Sequence, residues 1–382
     1  MFGFMQQYHD LLKEILANGD VMFEPRTQEY TLGISAWWSK YDLRQEFPLM
    51  TTKKISSRLP FEELLWKLRG ERNVKSLFDR DVHIWDANAF DNYLKRNGLK
   101  DRFPKHSPEW KAEFERYGKR LGNEPDFALD AGDLGPVYGY QWRHFRKPLF
   151  VPAHAEGIEW RPDKWEIKEV DQLKNLLKGI EERPGSRYHI LCAWNPGELS
   201  DMALGPCPFW HQFSIFGDNI DLTMVQRSCD VYLGVPFNIA QDSLLTHMVA
   251  NEKGLQPRFF NHEYINVHAY LGVPPRSDFW IDKNNVEEFQ RRFIREVRDL
   301  DGYMKLREWY LGNVAPESYG NERKDHIPFI LEQLSKSLGE LPSLNIRGNI
   351  GLLDAIEMRA DDYAEMINYS PHKWDSRAEM AV

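Results

Sequence analysis

Strand-forming sequence in this 382-residue chain is concentrated in its middle, and that concentration limits the folds open to it. Residues 188 to 195 (YHILCAWN) read as a strand, 209 to 227 as a hairpin turning at Gly217-Asp218-Asn219, and 258 to 271 as another strand. A helical stretch over 238 to 252 separates the last two, and a Thr-, Tyr-, Ile- and Trp-rich run over 27 to 46 adds a strand upstream. Helices come before and after. Met5, Tyr8, Leu11, Leu12, Ile15 and Leu16 recur at helical spacing over 4 to 17, and Asn18-Gly19-Asp20 stops the pattern. Phe61, Leu64, Leu65 and Leu68 mark a second helix ending at Gly70, with Glu62 and Glu63 in its first half. Val286, Phe289, Phe293, Val297 and Leu300 predict one amphipathic helix.

Residues 91 to 132, charged and broken by Pro104, Pro108, Gly118 and Gly122, read as a surface insertion with a helical piece near Glu109 to Tyr117; 273 to 340 reads as a helical insertion. With 13 Trp, 16 Tyr and 22 Phe the chain is too aromatic for disorder. A net charge of −9 excludes a global field for nucleic acid, so any anion site must be local. No apolar run approaches a membrane span, and the N-terminus lacks a basic stretch leading into an apolar block. The expectation is a soluble, cytoplasmic protein without membrane or nucleic-acid partners. Cys192, Cys207 and Cys229 are too scattered for disulfides or a metal site, so no metal is expected. The sequon at Asn368 is then a chance match. The glycine-rich turn from Gly132 to Tyr140 fits no nucleotide-phosphate fingerprint.

Reactive and anion-binding groups crowd into Leu204-Gly-Pro-Cys207-Pro, Gln226-Arg227-Ser228-Cys229-Asp230 and Gly234-Val-Pro-Phe-Asn238-Ile-Ala. These segments join Arg26-Thr27, Phe47-Pro-Leu-Met-Thr-Thr-Lys53, Glu63-Leu-Leu-Trp66, Ile84-Trp85-Asp86, Gly135-Pro-Val-Tyr138-Gly-x-Gln-Trp-Arg143 and Ala193-Trp194-Asn195. Together, and in this order, they resemble the thymidylate synthase superfamily over roughly 20 to 272 and 341 to 382. The resemblance implies a single α/β (α+β) domain over 1 to 382, a large mixed sheet flanked by helices, with insertions at about 91–132 and 273–340. It also implies a homodimer with shared active sites, acting on a pyrimidine nucleoside monophosphate with 5,10-methylenetetrahydrofolate as one-carbon donor.

The pyrimidine carbon to be alkylated is a poor nucleophile until a thiolate adds beside it. Cys207 resembles that thiolate, next to the positive charge of Arg227. A lone Cys is by default a core residue, a reading kept for Cys192 and Cys229; motif context reverses it for Cys207. Glu63 resembles the general acid/base acting through water, and Tyr138 the phenol assisting carbon deprotonation. Arg26, Arg227 and Ser228 resemble the substrate phosphate site; Arg187 matches an Arg reaching it from the neighbouring subunit; His268 and Tyr270 resemble the sugar-hydroxyl pair, and Gln226 stands among the substrate-binding residues. Asn238 stands where the base is read, and an amide suits uracil where a carboxylate would suit cytosine, pointing to dUMP over dCMP. Ile84, Trp85, Asn88, Asp230, Leu233, Gly234 and Phe237 resemble the folate wall, which the C-terminal run ending Ala381-Val382 would close.

Four positions depart from the methylating pattern: Asn88 for a second Trp, Tyr188 for a second phosphate Arg, Pro208 for the His after the nucleophile, and Asn266 for Asp. A polar Asn88 able to hold water and an altered network at Pro208 favour hydration of the shared methylene intermediate over its reduction. The expectation is therefore a dUMP hydroxymethylase similar to those of bacteriophages whose DNA carries hydroxymethyluracil. Thymidylate synthase itself is the alternative, and a catalytically silent nucleotide- or RNA-binding relative is a third reading.

Overall fold

The computed structural model describes residues 5–373 except 26, 45, 106, 152–163, 317–322 and 349. The first helix, α1 (Gln6–Asn18), buries Tyr8, Leu11, Leu12, Ile15 and Leu16 along one face. An antiparallel pair, β1 (Asp20–Glu24) and β2 (Glu29–Asp42), leads through a loop to α2 (Arg58–Leu68). Four helices follow in the charged region and just before it: α3 (Lys75–Phe78), α4 (Asp86–Arg96), α5 (Pro108–Asn123) and α6 (Pro125–Ala131). Ser107 starts α5 by accepting the Trp110 N–H at 3.1 Å, with Pro108 in the first turn. The 91–132 segment is more than surface. Phe90, Leu94, Trp110, Tyr117 and Leu121 form a second apolar cluster that packs on Trp66, Trp85 and Tyr138, while the charges coat its outside.

The chain then forms α7 (Gly139–His144), the ribbon β3 (Phe145–Val151) and β4 (Lys164–Val170), α8 (Gln172–Glu182) and β5 (Ile190–Cys192). The hairpin expected at Gly217 is present as β6 (Pro208–Phe216) and β7 (Asn219–Asp230), followed by the buried helix α9 (Gly234–Lys253) and by β8 (Gln256–Tyr270). Six strands make one mixed sheet, ordered β1-β2-β8-β7-β6-β5. Only β7 and β8 run parallel, as the α9 crossover between them requires. At one level the ladder skips a residue in three neighbouring strands: Ser35, Asn266 and Ser228 are unpaired between flanking pairs, and Asn266 and Ser228 both adopt positive φ (53° and 52°).

Beyond β8 lie α10 (Asp278–Ile281), α11 (Lys283–Glu296), α12 (Leu300–Asn313) and α13 (Ile327–Leu334). The single helix expected from Val286 to Leu300 is two: Val297 is extended, and the Asp299 side chain accepts the Gly302 N–H to start α12. This insertion is tied down by a buried Arg276–Asp325 pair at 2.7 Å, to which Tyr310 adds its hydroxyl at 2.8 Å. Asp325 bridges to Leu271, and the His326 N–H meets the Tyr270 carbonyl at 2.9 Å, so the insertion abuts the strand end carrying His268 and Tyr270. A small sheet of β9 (Ser343–Ile346) and β10 (Ala364–Ile367), separated by α14 (Leu352–Ala355) and α15 (Ala360–Tyr363), completes the described chain.

His9, buried on α1 against Thr52 at 2.9 Å, is lowered to about 4 by burial and by the Lys13 ammonium. It stays neutral in the fold but protonates near 6.5 when unfolded, so its contribution is complete above pH 6.5 and is lost as pH falls towards 4. Stability should fall by about 1.4 kcal/mol per pH unit across that window on account of this group. Urea denaturation of His9→Gln at pH 7 and pH 5 checks this: its loss of stability between the two should be smaller than wild type by about 2 kcal/mol.

Candidate active site

Cys207 sits in the turn entering β6, partly exposed, with its backbone held on both sides. Its N–H donates to the Tyr138 hydroxyl at 2.9 Å, and its carbonyl accepts the Arg227 N–H at 2.9 Å. The Arg227 guanidinium braces the same turn, donating to the Pro206 carbonyl at 2.8 Å and to that of Gly205, over the Trp194 ring. Tyr138 reaches Cys207 from a tight turn at φ 35°. The next residue must be glycine, because a Cβ on Gly139 would lie 1.8 Å from the Lys67 carbonyl oxygen. Burial, and then the neighbouring Cys207 and Glu63, raise the Tyr138 phenol well above its ordinary value, which keeps it protonated.

Glu63 is 7% exposed on α2, and every partner it has is buried too. Its Oε1 accepts the Trp85 indole N–H at 2.9 Å and pairs with the Lys67 ammonium at 3.1 Å; its Oε2 accepts the Gln241 amide at 2.9 Å. Lys67 also donates to Gln241 Oε1 at 2.7 Å and lies 4.5 Å over the Tyr138 ring, closing the ring of contacts. Trp85 packs edge-on against Tyr138, with centroids 5.5 Å apart. Glu63, Trp85, Tyr138 and Cys207 thus form one connected group.

Asn238, on the second turn of α9, accepts the Gln226 amide at 3.0 Å through Oδ1. Gln226 is held in turn by His262 at 2.9 Å. Asp230 Oδ1 accepts the N–H groups of Tyr232 and Leu233 at 3.0 and 3.1 Å, shaping the turn that delivers Gly234, Phe237 and Asn238. His268 stands in register with Asp230, donates Nδ1–H to the Asn266 carbonyl at 3.0 Å, and meets Tyr270 edge-on at 5.3 Å. Ser228 follows Arg227 at the skipped level of β7. Ile84 is half-buried beside Trp85, and Asn88 lines a cavity of about 190 Å³ with Asp91, Lys100 and Trp110. Arg187 and Tyr188 are exposed on the segment entering β5, with the Arg187 carbonyl accepting from Gln212. Arg26 and Ala381 lie outside the described residues.

Sequence reasoning passed over Lys67, Gln241 and His262. The Glu63/Lys67 pair was legible as an i,i+4 spacing on a helix, whereas Gln241 and His262 reach the site through contacts that no local pattern announces. A buried His211–Asp242 pair at 2.9 Å, on β6 and α9, was likewise unannounced.

Residues 6–382 match the sequence profile of the thymidylate synthase family. The chain is 39% identical over 297 residues to the thymidylate synthase of equine herpesvirus 2, covering 78% of this chain and 90% of that one. It is 36% identical to the enzyme of Mycoplasma genitalium (77% and 87% covered) and 35% to that of Listeria monocytogenes strain HCC23 (78% and 88%). The chain belongs to the thymidylate synthase family. It is a one-carbon-transfer enzyme with that family's α/β fold, and the family uses a folate-derived one-carbon cofactor. These relatives are thymidylate synthases, which overturns the expectation of a dUMP hydroxymethylase of bacteriophage type. The departures that prompted it carry less than they promised: Pro208 has no side-chain donor or acceptor and is itself buried at the start of β6, and Asn88 faces a cavity of the 91–132 segment. Among the described residues no His, Cys, Asp and Glu cluster fits a metal, and no helix is long and apolar enough to cross a membrane.

Lys67→Met would leave the Glu63 carboxylate buried without its cation, a loss of about 3 to 5 kcal/mol. Urea denaturation should show this drop, and adding Glu63→Gln should restore part of it, since the two side chains form one unit.

Proposed function

We propose that this enzyme converts dUMP to dTMP with 5,10-methylenetetrahydrofolate, releasing dihydrofolate, and that the chain acts as one catalytic domain. The observation that carries this reading is the connected group of Cys207, Tyr138, Trp85 and Glu63 in a chain whose relatives are thymidylate synthases. Cys207 is the nucleophile that adds beside the carbon to be alkylated, forming a C–S bond that breaks when product leaves. Glu63 moves protons at the pyrimidine oxygen through water, its carboxylate held in position by Trp85, Lys67 and Gln241. Tyr138 keeps its own hydroxyl hydrogen while accepting from Cys207 N–H, so it donates to the water that removes the carbon-bound proton. Arg227 and Ser228, joined by Arg26 and by Arg187 from a second subunit, bind the phosphate; His268 and Tyr270 hold the sugar hydroxyl; and Asn238 reads uracil.

Folate supplies the one-carbon unit and the hydride. The donor set fits it: Asp230 commits Oδ1 to two backbone N–H groups, leaving Oδ2 as an acceptor for the N–H edge of a pterin, and Leu233, Gly234, Phe237, Ile84 and Trp85 supply the apolar wall, whereas Asn88 faces the cavity of the 91–132 segment. A product assay with dUMP and methylenetetrahydrofolate tests the reading. Methyl nucleotide with dihydrofolate is expected, Cys207→Ser should lose all of it, and hydroxymethyl nucleotide with tetrahydrofolate would refute it.

The sheet face turned away from α9 supports a homodimer. Trp210, Val225, Glu263 and Trp38 form one cross-strand row on it, with Ile265 nearby, and Trp38 and Ile265 are 51% and 44% exposed. Arg187→Ala and Cys207→Ser are each expected to be inactive alone and to regain activity on subunit mixing, because one site in the mixed dimer keeps both residues. Confirmed mixing without recovery would mean that each subunit completes its own site.

A further inference from the structure

We propose that His262, buried on β8, sets the choice between uracil and cytosine by fixing, through Gln226, which way round the Asn238 amide points. This rests on the reading of Asn238 as the base contact. Burial, with His211 close by, keeps His262 well below its ordinary value, so the ring is neutral and carries one N–H. Its Nδ1 is buried with no hydrogen-bond partner among the described residues, whereas Nε2 lies 2.9 Å from Gln226 Oε1. The proton therefore belongs on Nε2, which donates to Gln226, because a buried N–H without an acceptor is costlier than a buried lone pair without a donor. Stacking on Tyr264, with centroids 3.6 Å apart, holds the ring in place.

Each later bond in the relay follows from the first. With Oε1 taken by His262, Gln226 turns its Nε2 to Asn238 Oδ1 at 3.0 Å. Asn238 is then left with its amide N–H groups as donors on one side and a second lone pair of Oδ1 on the other. Uracil offers a carbonyl and a ring N–H, and cytosine offers an amino group and a ring nitrogen in the same two places. Turning the Asn238 amide by half a rotation would therefore suit cytosine. That turn would set Asn238 Nδ2 against Gln226 Nε2, two donors face to face. Turning Gln226 as well would set its Nε2 against the His262 N–H, and moving that proton would leave it on Nδ1 with no acceptor. The relay ends at a ring with one workable proton position, and that ring is what resists the change.

Two variants and one spectrum test this. His262→Phe keeps the stacked ring and removes the donor; His262→Gln supplies an N–H again. We expect kcat/KM for dUMP over dCMP to fall roughly tenfold in His262→Phe, the worth of about one buried hydrogen bond, and to stay within about threefold of wild type in His262→Gln. Asn238→Asp serves as the control. If it shifts selectivity towards dCMP while folded His262→Phe does not, the relay is wrong; if it also leaves selectivity unchanged, Asn238 does not read the base and the proposal falls with that reading. Nitrogen-15 NMR of histidine-labelled wild-type protein gives a second readout that needs no variant to fold. A neutral ring protonated at Nε2 across roughly pH 6 to 8 is expected, and protonation at Nδ1 or at both nitrogens would overturn the proposal.

Discussion

A carboxylate nearly shut off from solvent must find its partners inside the protein, and Glu63 finds them on separate elements. Lys67 comes from the next turn of α2, Trp85 from the residue before α4, and Gln241 from α9. Meeting the needs of one charge therefore fixes three helices relative to one another. The positions of the remaining groups follow. Gln241 lies three residues after Asn238 on α9, Trp85 packs on Tyr138, and Tyr138 holds the backbone of Cys207. The site is a by-product of satisfying a buried polar cluster as much as a set of residues aimed at substrate.

The sheet contributes by alternation. Because side chains switch faces at every residue, one register row carries His211, Met224 and His262 towards α9, and the next carries Trp210, Val225, Glu263 and Trp38 away from it. The inner row and α9 hold the polar groups behind Asn238; the outer row leaves aromatic surface uncovered. A strand pairing that serves the active site on one side thus presents the other side to a partner.

Much of this was legible in the sequence, and the misses share a cause. The α1 periodicity, the hairpin at Gly217, the helix after Gly234 and the adjacency of Cys207, Tyr138 and Glu63 all rest on local spacing or on ordered motifs. What escaped is non-local. The 91–132 segment carries so many charges that it reads as a surface insertion, and the apolar face made by Trp110, Tyr117 and Leu121 is hidden by them. The helix break after Glu296 depended on a single Asp cap interrupting an otherwise continuous apolar pattern. The burial of Lys67 is not visible in the sequence, because nothing in its neighbours along the chain shows that α2 is covered on all sides. The reaction was misjudged for a related reason: Asn88 and Pro208 were weighed by motif position, whereas their effect depends on what surrounds them.

The skipped pairing at Ser35, Asn266 and Ser228 has a consequence for how this sheet tolerates change. Three strands step out of the ladder together, like the aligned notches of a key, so none of them can slide by one residue without losing its match to the other two. A deletion in β2, β7 or β8 would need compensating deletions in the other two. That interlock ties the lengths of these three strands to one another, a constraint that the loops and insertions around them do not share.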